Sequence, residues 1–173
     1  MDAGKGERVL MAEISRNKDK NGKWTPYYGT KVDVEKSKSQ IRDLLAKYGV
    51  SQQRWTEDLE NNQVMFEFFI KGEDRTYLVR LMPKPFIEEH KLWNSKKGKS
   101  EATQVPNWAR AYRMLYAYVK AKVEAIAYCM HTIEEEFMPD IIVKGKDGQE
   151  TTLADAILKS REFAPMLDYR GGN

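Results

Sequence analysis

From Trp108 to Phe137 the residues Trp108, Tyr112, Leu115, Val119, Val123, Ile126, Met130, Ile133 and Phe137 recur at spacings of three and four, which is the repeat of one helix face. An apolar stripe of this length must be covered, so it constrains the fold more than any other feature. It predicts one long helix or two nearly collinear ones. Asn107 is the N-cap, Pro139 lies beyond the stop, and there is room for a break near Tyr128 to Thr132.

The covering surface is legible upstream. In Gln63 to Lys71, Val64, Phe66, Phe68 and Ile70 alternate with Met65, Glu67, Phe69 and Lys71, and Asn61-Asn62 makes the turn before them. Gly72-Glu73-Asp74 turns the chain into Arg75 to Met82, where Tyr77, Val79 and Leu81 share one face; Gln52 to Asp58 is a weaker third strand. A helix is expected from Ser37 to Tyr48, with Ser37 and Gln40 at capping-box spacing and Gly49 as its C′ residue. Before it, Val9 to Ser15 and Pro26 to Val34 read as a hairpin with a basic tip around Asn21-Gly22. A strand from Ile141 to Lys144, a turn at Asp147-Gly148 and a helix from Thr152 to about Arg161 follow the long stripe. The fold class is therefore α+β: an antiparallel sheet, meander plus N-terminal hairpin, packed with one short helix and one long helix. We read residues 1–173 as a single domain with a β-rich half at 1–93, a mobile basic loop at 94–106 and a helical half at 107–173.

With 41% apolar and 32% charged residues, the chain can build a core and is not disordered throughout. One cysteine, Cys129, excludes an internal disulfide, and with only His90 and His131 beside it no structural zinc site is expected. Cys129 reads as a buried structural thiol. No apolar run approaches the roughly 18 residues that span a bilayer, and the first residues lack a signal peptide's apolar segment, so a cytoplasmic protein without a membrane partner is expected.

The net charge of +3 conceals segregation: residues 75–122 carry 11 basic and 3 acidic groups, whereas residues 123–173 carry 5 and 10. Local positive charge is what phosphate recognition needs, although a solvated surface balanced by the acidic tail fits the same count. On the long helix Arg110, Arg113 and Lys120 lie near one stripe, extended by Lys91, Lys96, Lys97 and Lys99 in the basic loop; the alternative is a solvated face with Lys120 paired to Glu124. Rings accompany the cations, with Trp24 and Tyr27 beside Lys18, Lys20 and Lys23, and Trp93 beside Lys91. Single-stranded nucleic acid uses both kinds of group, cations for the backbone and rings for the bases. Trp24 and Trp93 suit a core or a stacking role equally, whereas Trp55, Trp108 and Tyr112 are expected in the core.

Glu134-Glu135-Glu136 with Asp140 invites a metal reading, but three consecutive helical residues point in three directions, and a solvated helix end is preferred. No phosphate-binding glycine loop, Gly-x-Ser-x-Gly, Cys-x-x-Cys or His-Glu-x-x-His pattern occurs, and no cofactor is expected.

Three stretches taken together carry a resemblance: Ser37 to Gly49, Arg75 to Pro83, and Lys120 to Ala127 running into Glu134 to Met138. The chain resembles a set of small uncharacterised bacteriophage- and prophage-encoded proteins that accompany replication and recombination genes. The resemblance implies a role in DNA metabolism in a host cytoplasm and carries over no functional residue. The expectation is a non-catalytic protein, a homo-oligomer, that binds single-stranded DNA or RNA during phage replication, recombination or annealing. Its alternatives are a metal-dependent nuclease or enzyme subunit using Glu124, Glu134 or Asp140, and a protein-interaction or structural module.

Overall fold

The structure is a computed structural model that describes residues 23, 26–58, 60–94, 98–145 and 148–160, the side chains of 89–94, 101 and 103 excepted. Its elements are α1 (Val34–Ala46), β1 (Gln53–Asp58), β2 (Gln63–Lys71), β3 (Thr76–Leu81), β4 (Phe86–Asn94), β5 (Lys99–Asn107), α2 (Trp108–Ala127), α3 (Ile133–Phe137), a 3₁₀ turn (Met138–Asp140), β6 (Ile142–Lys144), β7 (Glu150–Thr152) and α4 (Leu153–Lys159). The class is α+β with antiparallel pairing, as the periodicities require. Among the described residues no helix is long and apolar enough to cross a membrane. The chain forms two compact units: residues 1–41, 57–64 and 83–118, and residues 42–56, 65–82 and 119–173.

In the second unit the meander β1-β2-β3 pairs Phe66 with Leu81, Phe68 with Val79 and Ile70 with Tyr77. This register gathers Phe66, Phe68, Ile70, Val79 and Leu81 on one buried face, joined in the core by Leu45, Val50, Val119, Val123, Phe137 and Ile141. Trp55 stacks on Phe66 at a centroid distance of 4.0 Å, and Phe137 meets Phe68 edge-on at 5.2 Å. Each large apolar side chain removed from water contributes about 1.5–3 kcal/mol. Val79 also bridges to Ile141, beside the β6-β7 hairpin. In the first unit the core includes Ile41, Val64, Ala111, Tyr112 and Leu115.

The helix ends follow local chemistry. At the end of α1 the Gly49 and Val50 amides donate to Ala46 and Leu45 at 3.1 and 3.3 Å, with Gly49 at φ 78°, a Schellman motif. The same pattern ends α2, where the Cys129 and Met130 amides donate to Ile126 and Ala125. Here the left-handed residue is Cys129, at φ 55°. The chain then restarts at α3 with a capping box: the Thr132 hydroxyl accepts from the Glu135 amide, and the Glu135 carboxylate accepts from the Thr132 amide. The long stripe is thus two helices, broken where the sequence left room for a break. Because glycine meets no Cβ penalty at such a φ, Cys129→Gly is expected to raise unfolding free energy by about 1 kcal/mol, read by urea denaturation. A loss of stability would show that the Cys129 side chain itself is needed.

Several expectations need correction. Pro26 to Val34 is not a strand: residues 26–29 form a turn, the chain continues without regular structure, and α1 begins at Val34, with Asp33 Oδ1 accepting from the Glu35 amide. Pro26 cannot donate a ladder hydrogen bond and Tyr27 sits at φ 58°, both poor for a strand. Val9 to Ser15, the other half of that hairpin, lies outside the described residues. Ser37 is not the α1 cap but is buried inside the helix, its hydroxyl donating to the Asp33 carbonyl. Most of the expected loop at 94–106 is instead strand, since Lys99–Asn107 pairs as β5, while residues 95–97 lie outside the described residues. Cys129 is exposed rather than buried, since the Schellman turn lifts it off the apolar stripe.

Candidate nucleic-acid interface

β4 and β5 form a two-stranded ribbon of nine residue pairs, from Phe86 opposite Asn107 to Asn94 opposite Lys99. Among the described strands each pairs only with the other. At about 3.3 Å per residue the ribbon is roughly 30 Å long. Its two lysines, Lys91 and Lys99, stand in the half nearer the closing end. In the sequence, residues 90–100 contain Lys91, Lys96, Lys97, Lys99 and His90 and no acidic residue; Glu88 and Glu89 lie nearer the base of the ribbon, and Glu101 lies opposite Leu92 between Lys91 and the closing end.

The base of the ribbon is tied to α2 by polar contacts. Asn107 is the N-cap that the sequence predicts, its Oδ1 accepting from the Arg110 amide at 2.9 Å, while its Nδ2 donates to Glu88 Oε1 at 3.0 Å. The Arg110 side chain is 0% exposed. Its guanidinium lies over the Phe86 ring at 4.1 Å, 3.9 Å from the Glu88 carboxylate, and its Nε donates to the Pro26 carbonyl at 3.2 Å. Burial pushes its pKa below the ordinary arginine value, and the Glu88 charge opposes that. Arg110 therefore does not lie on a solvated phosphate track: it anchors the root of the ribbon, and a buried guanidinium cannot meet a phosphate without unfolding its surroundings.

The other expected site residues divide. Arg113 is half-buried, donates to Gln40 Oε1 and stacks over Tyr116 at 4.0 Å, so its donors are partly committed. Lys120, in the second unit, is paired with Glu124 at 3.4 Å, the solvated-face alternative. Lys91 and Trp93 lie on the ribbon, opposite Ala102 and Ser100, their side chains outside the described residues; Lys99 opens β5 and is exposed. Tyr27 and Lys23 are exposed. Lys18, Lys20, Trp24, Lys96 and Lys97 lie outside the described residues. Pairing thus brings Lys91, Trp93 and Lys99 onto one ribbon, where the sequence predicts both lysines in a basic loop and Trp93 as an aromatic neighbour of Lys91.

Two ion networks escaped sequence reasoning. In the first unit Lys38 bridges Glu57 and Glu35, at 2.5 and 2.9 Å, and the Tyr112 hydroxyl donates to Glu57 at 2.7 Å. The Lys38 hydrogen bond, helped by Tyr112, holds the Glu57 carboxyl below its ordinary pKa; burial, reinforced by the Glu57 charge, pushes the Tyr112 hydroxyl far up. In the second unit Glu67, 2% exposed, accepts from Arg54 Nε and Arg80 Nε, each at 2.8 Å, and Arg80 also reaches Glu150 at 2.8 Å. Burial alone would raise the Glu67 carboxyl, but the two arginines overcome this and hold it below the ordinary range. An acid among apolar alternating residues was the available signal.

The acidic cluster has structural employment. Glu135 completes the α3 capping box, Glu136 lies 3.1 Å from His131 Nδ1, and Glu136 and Asp140 flank the buried Lys122 at 3.6 and 3.7 Å. Among the described residues no three His, Cys, Asp or Glu side chains come together as a metal site. Trp55 and Tyr112 pack as core or core-edge residues, and Trp108 is half-buried against Tyr112 at 6.3 Å. No family model, curated protein or solved structure matches the chain.

Proposed function

We propose that this chain is a non-catalytic protein that binds single-stranded nucleic acid, in the phage replication, recombination or annealing context that its resemblance implies. The observation that carries this reading is the β4-β5 ribbon, whose closing pairs hold Lys91, Trp93 and Lys99 with Glu101 among them, within a sequence segment, residues 90–100, that has four lysines and no acidic residue. A ribbon anchored at its base carries Lys91 and Lys99 towards a nucleic-acid backbone at reduced entropic cost, because strand pairing already fixes their main chain. Trp93, in the same segment, is the stacking partner that a single strand offers bases to and a duplex does not. A non-catalytic role is supported by the positions of Glu124, Glu135, Glu136 and Asp140, each already opposite a cation or a helix cap. The working context is the cytoplasm of a host cell, and a homo-oligomer would align several ribbons along one strand.

Fluorescence-polarisation titration with single- and double-stranded oligonucleotides at two salt concentrations tests the reading. Tighter binding to the single strand, falling steeply with salt, is expected. Equal binding to both would leave only a charge-driven duplex or polyanion binder, and absence of binding at low salt would end the proposal.

A further inference from the structure

The meander has a second face. Opposite the buried Phe66, Phe68 and Ile70, the alternation of β2 places Met65, Glu67, Phe69 and Lys71, and the register sets Arg80 across from Glu67 and Leu78 across from Phe69. Phe69 is 41% exposed, an uncommon state for a phenylalanine at the middle of a sheet. Next to it lies the Arg54–Glu67–Arg80 network. The carboxylate in that network is 2% exposed and the Arg54 side chain 69%, so the charge that a ligand meets is the guanidinium's. Glu67 occupies the Nε and Nη2 edge of Arg54 and leaves the Nη1 hydrogens for another acceptor. Ordered in this way, the arginine loses less freedom on binding an anion.

We propose that this open sheet face is a second nucleotide-binding surface, with a base stacked on Phe69 and the adjoining phosphate bound by Arg54. The occupant is single-stranded nucleic acid, because an exposed flat ring beside an exposed guanidinium complements an unstacked base joined to an anion. Bases within a duplex are already stacked and offer no free face. The proposal rests on the reading of the protein as a single-strand binder but uses residues outside the ribbon, and Glu67 acts as the positioning residue for Arg54.

The test is polarisation titration of labelled oligo-dT against the whole chain and its variants, with melting temperatures recorded in parallel. Phe69→Leu keeps an apolar side chain and removes the ring, and is expected to weaken binding roughly 5- to 150-fold, the effect of one lost stack, at unchanged salt slope. Phe69→Trp is expected to recover the binding that Phe69→Leu loses. Arg54→Gln should reduce the salt slope by about 0.7, one phosphate contact on a single strand. If wild type binds and Phe69→Leu binds equally well, the sheet face is not a site and the ribbon reading stands. If wild type binds no oligonucleotide, both readings fall. If Phe69→Leu instead abolishes a concentration-dependent self-association seen by sedimentation, the face belongs to a second copy and the proposal is overturned.

Discussion

Replacing Lys91, Lys96, Lys97 and Lys99 together by alanine is expected to lower affinity for oligo-dT by on the order of a thousandfold at low salt, with the loss shrinking towards molar salt. Each phosphate contact on a single strand contributes about 0.7 to the slope of log affinity against log salt, so four lysines account for a slope change near 2.8. Extrapolated down from molar salt, that difference becomes three to four decades at about 50 mM salt. Melting temperature should move far less than affinity, because Lys91 and Lys99 stand in pairs distant from the Arg110–Glu88–Asn107 root of the ribbon. Titrations at several salt concentrations measure both slope and intercept. A variant whose slope equals that of wild type would show that the ribbon lysines touch no phosphate, and the function proposed above would lose its main support.

The second large effect concerns stability. Glu67→Ala removes the carboxylate shared by Arg54 and Arg80, leaving Arg80, whose side chain is 19% exposed, to Glu150 alone. Breaking such an enclosed ion network costs about 3 kcal/mol. Arg54 contributes the smaller part, since it is mostly exposed and water replaces its partner. The pH dependence has a definite sign. Glu67 is held below its ordinary pKa in the folded protein, so its contribution is complete above the unfolded value of about 4.5 and is lost as pH falls through the folded value. Glu57, lowered by Lys38, acts in the same direction. Urea denaturation of wild type between neutral pH and pH 3 should therefore show stability falling in the acid range, and Glu67→Gln should start lower and fall less. Parallel curves for the two proteins would mean that Glu67 titrates alike folded and unfolded.

What the sequence by itself determined is the local structure. β2 and β3 were legible because alternation decides which face is buried and a one-residue slip would expose it. The Asn107 and Gly49 helix ends were legible because caps are made by residues a few positions apart. The break after α2 was legible only as a place: Thr132 and Glu135 stand at capping-box spacing, whereas nothing marks Cys129 as the left-handed residue in a position that glycine usually takes. Tertiary structure decided the rest. Lys99–Asn107 has weak apolar alternation and becomes a strand because β4 supplies its hydrogen bonds. Arg110, Lys122 and Glu67 look like solvated charges along the chain and are buried because Glu88, Glu136, Asp140, Arg54 and Arg80 come to meet them. A charge can leave water only with a partner at hand, and a partner distant along the chain is invisible until the fold brings it there.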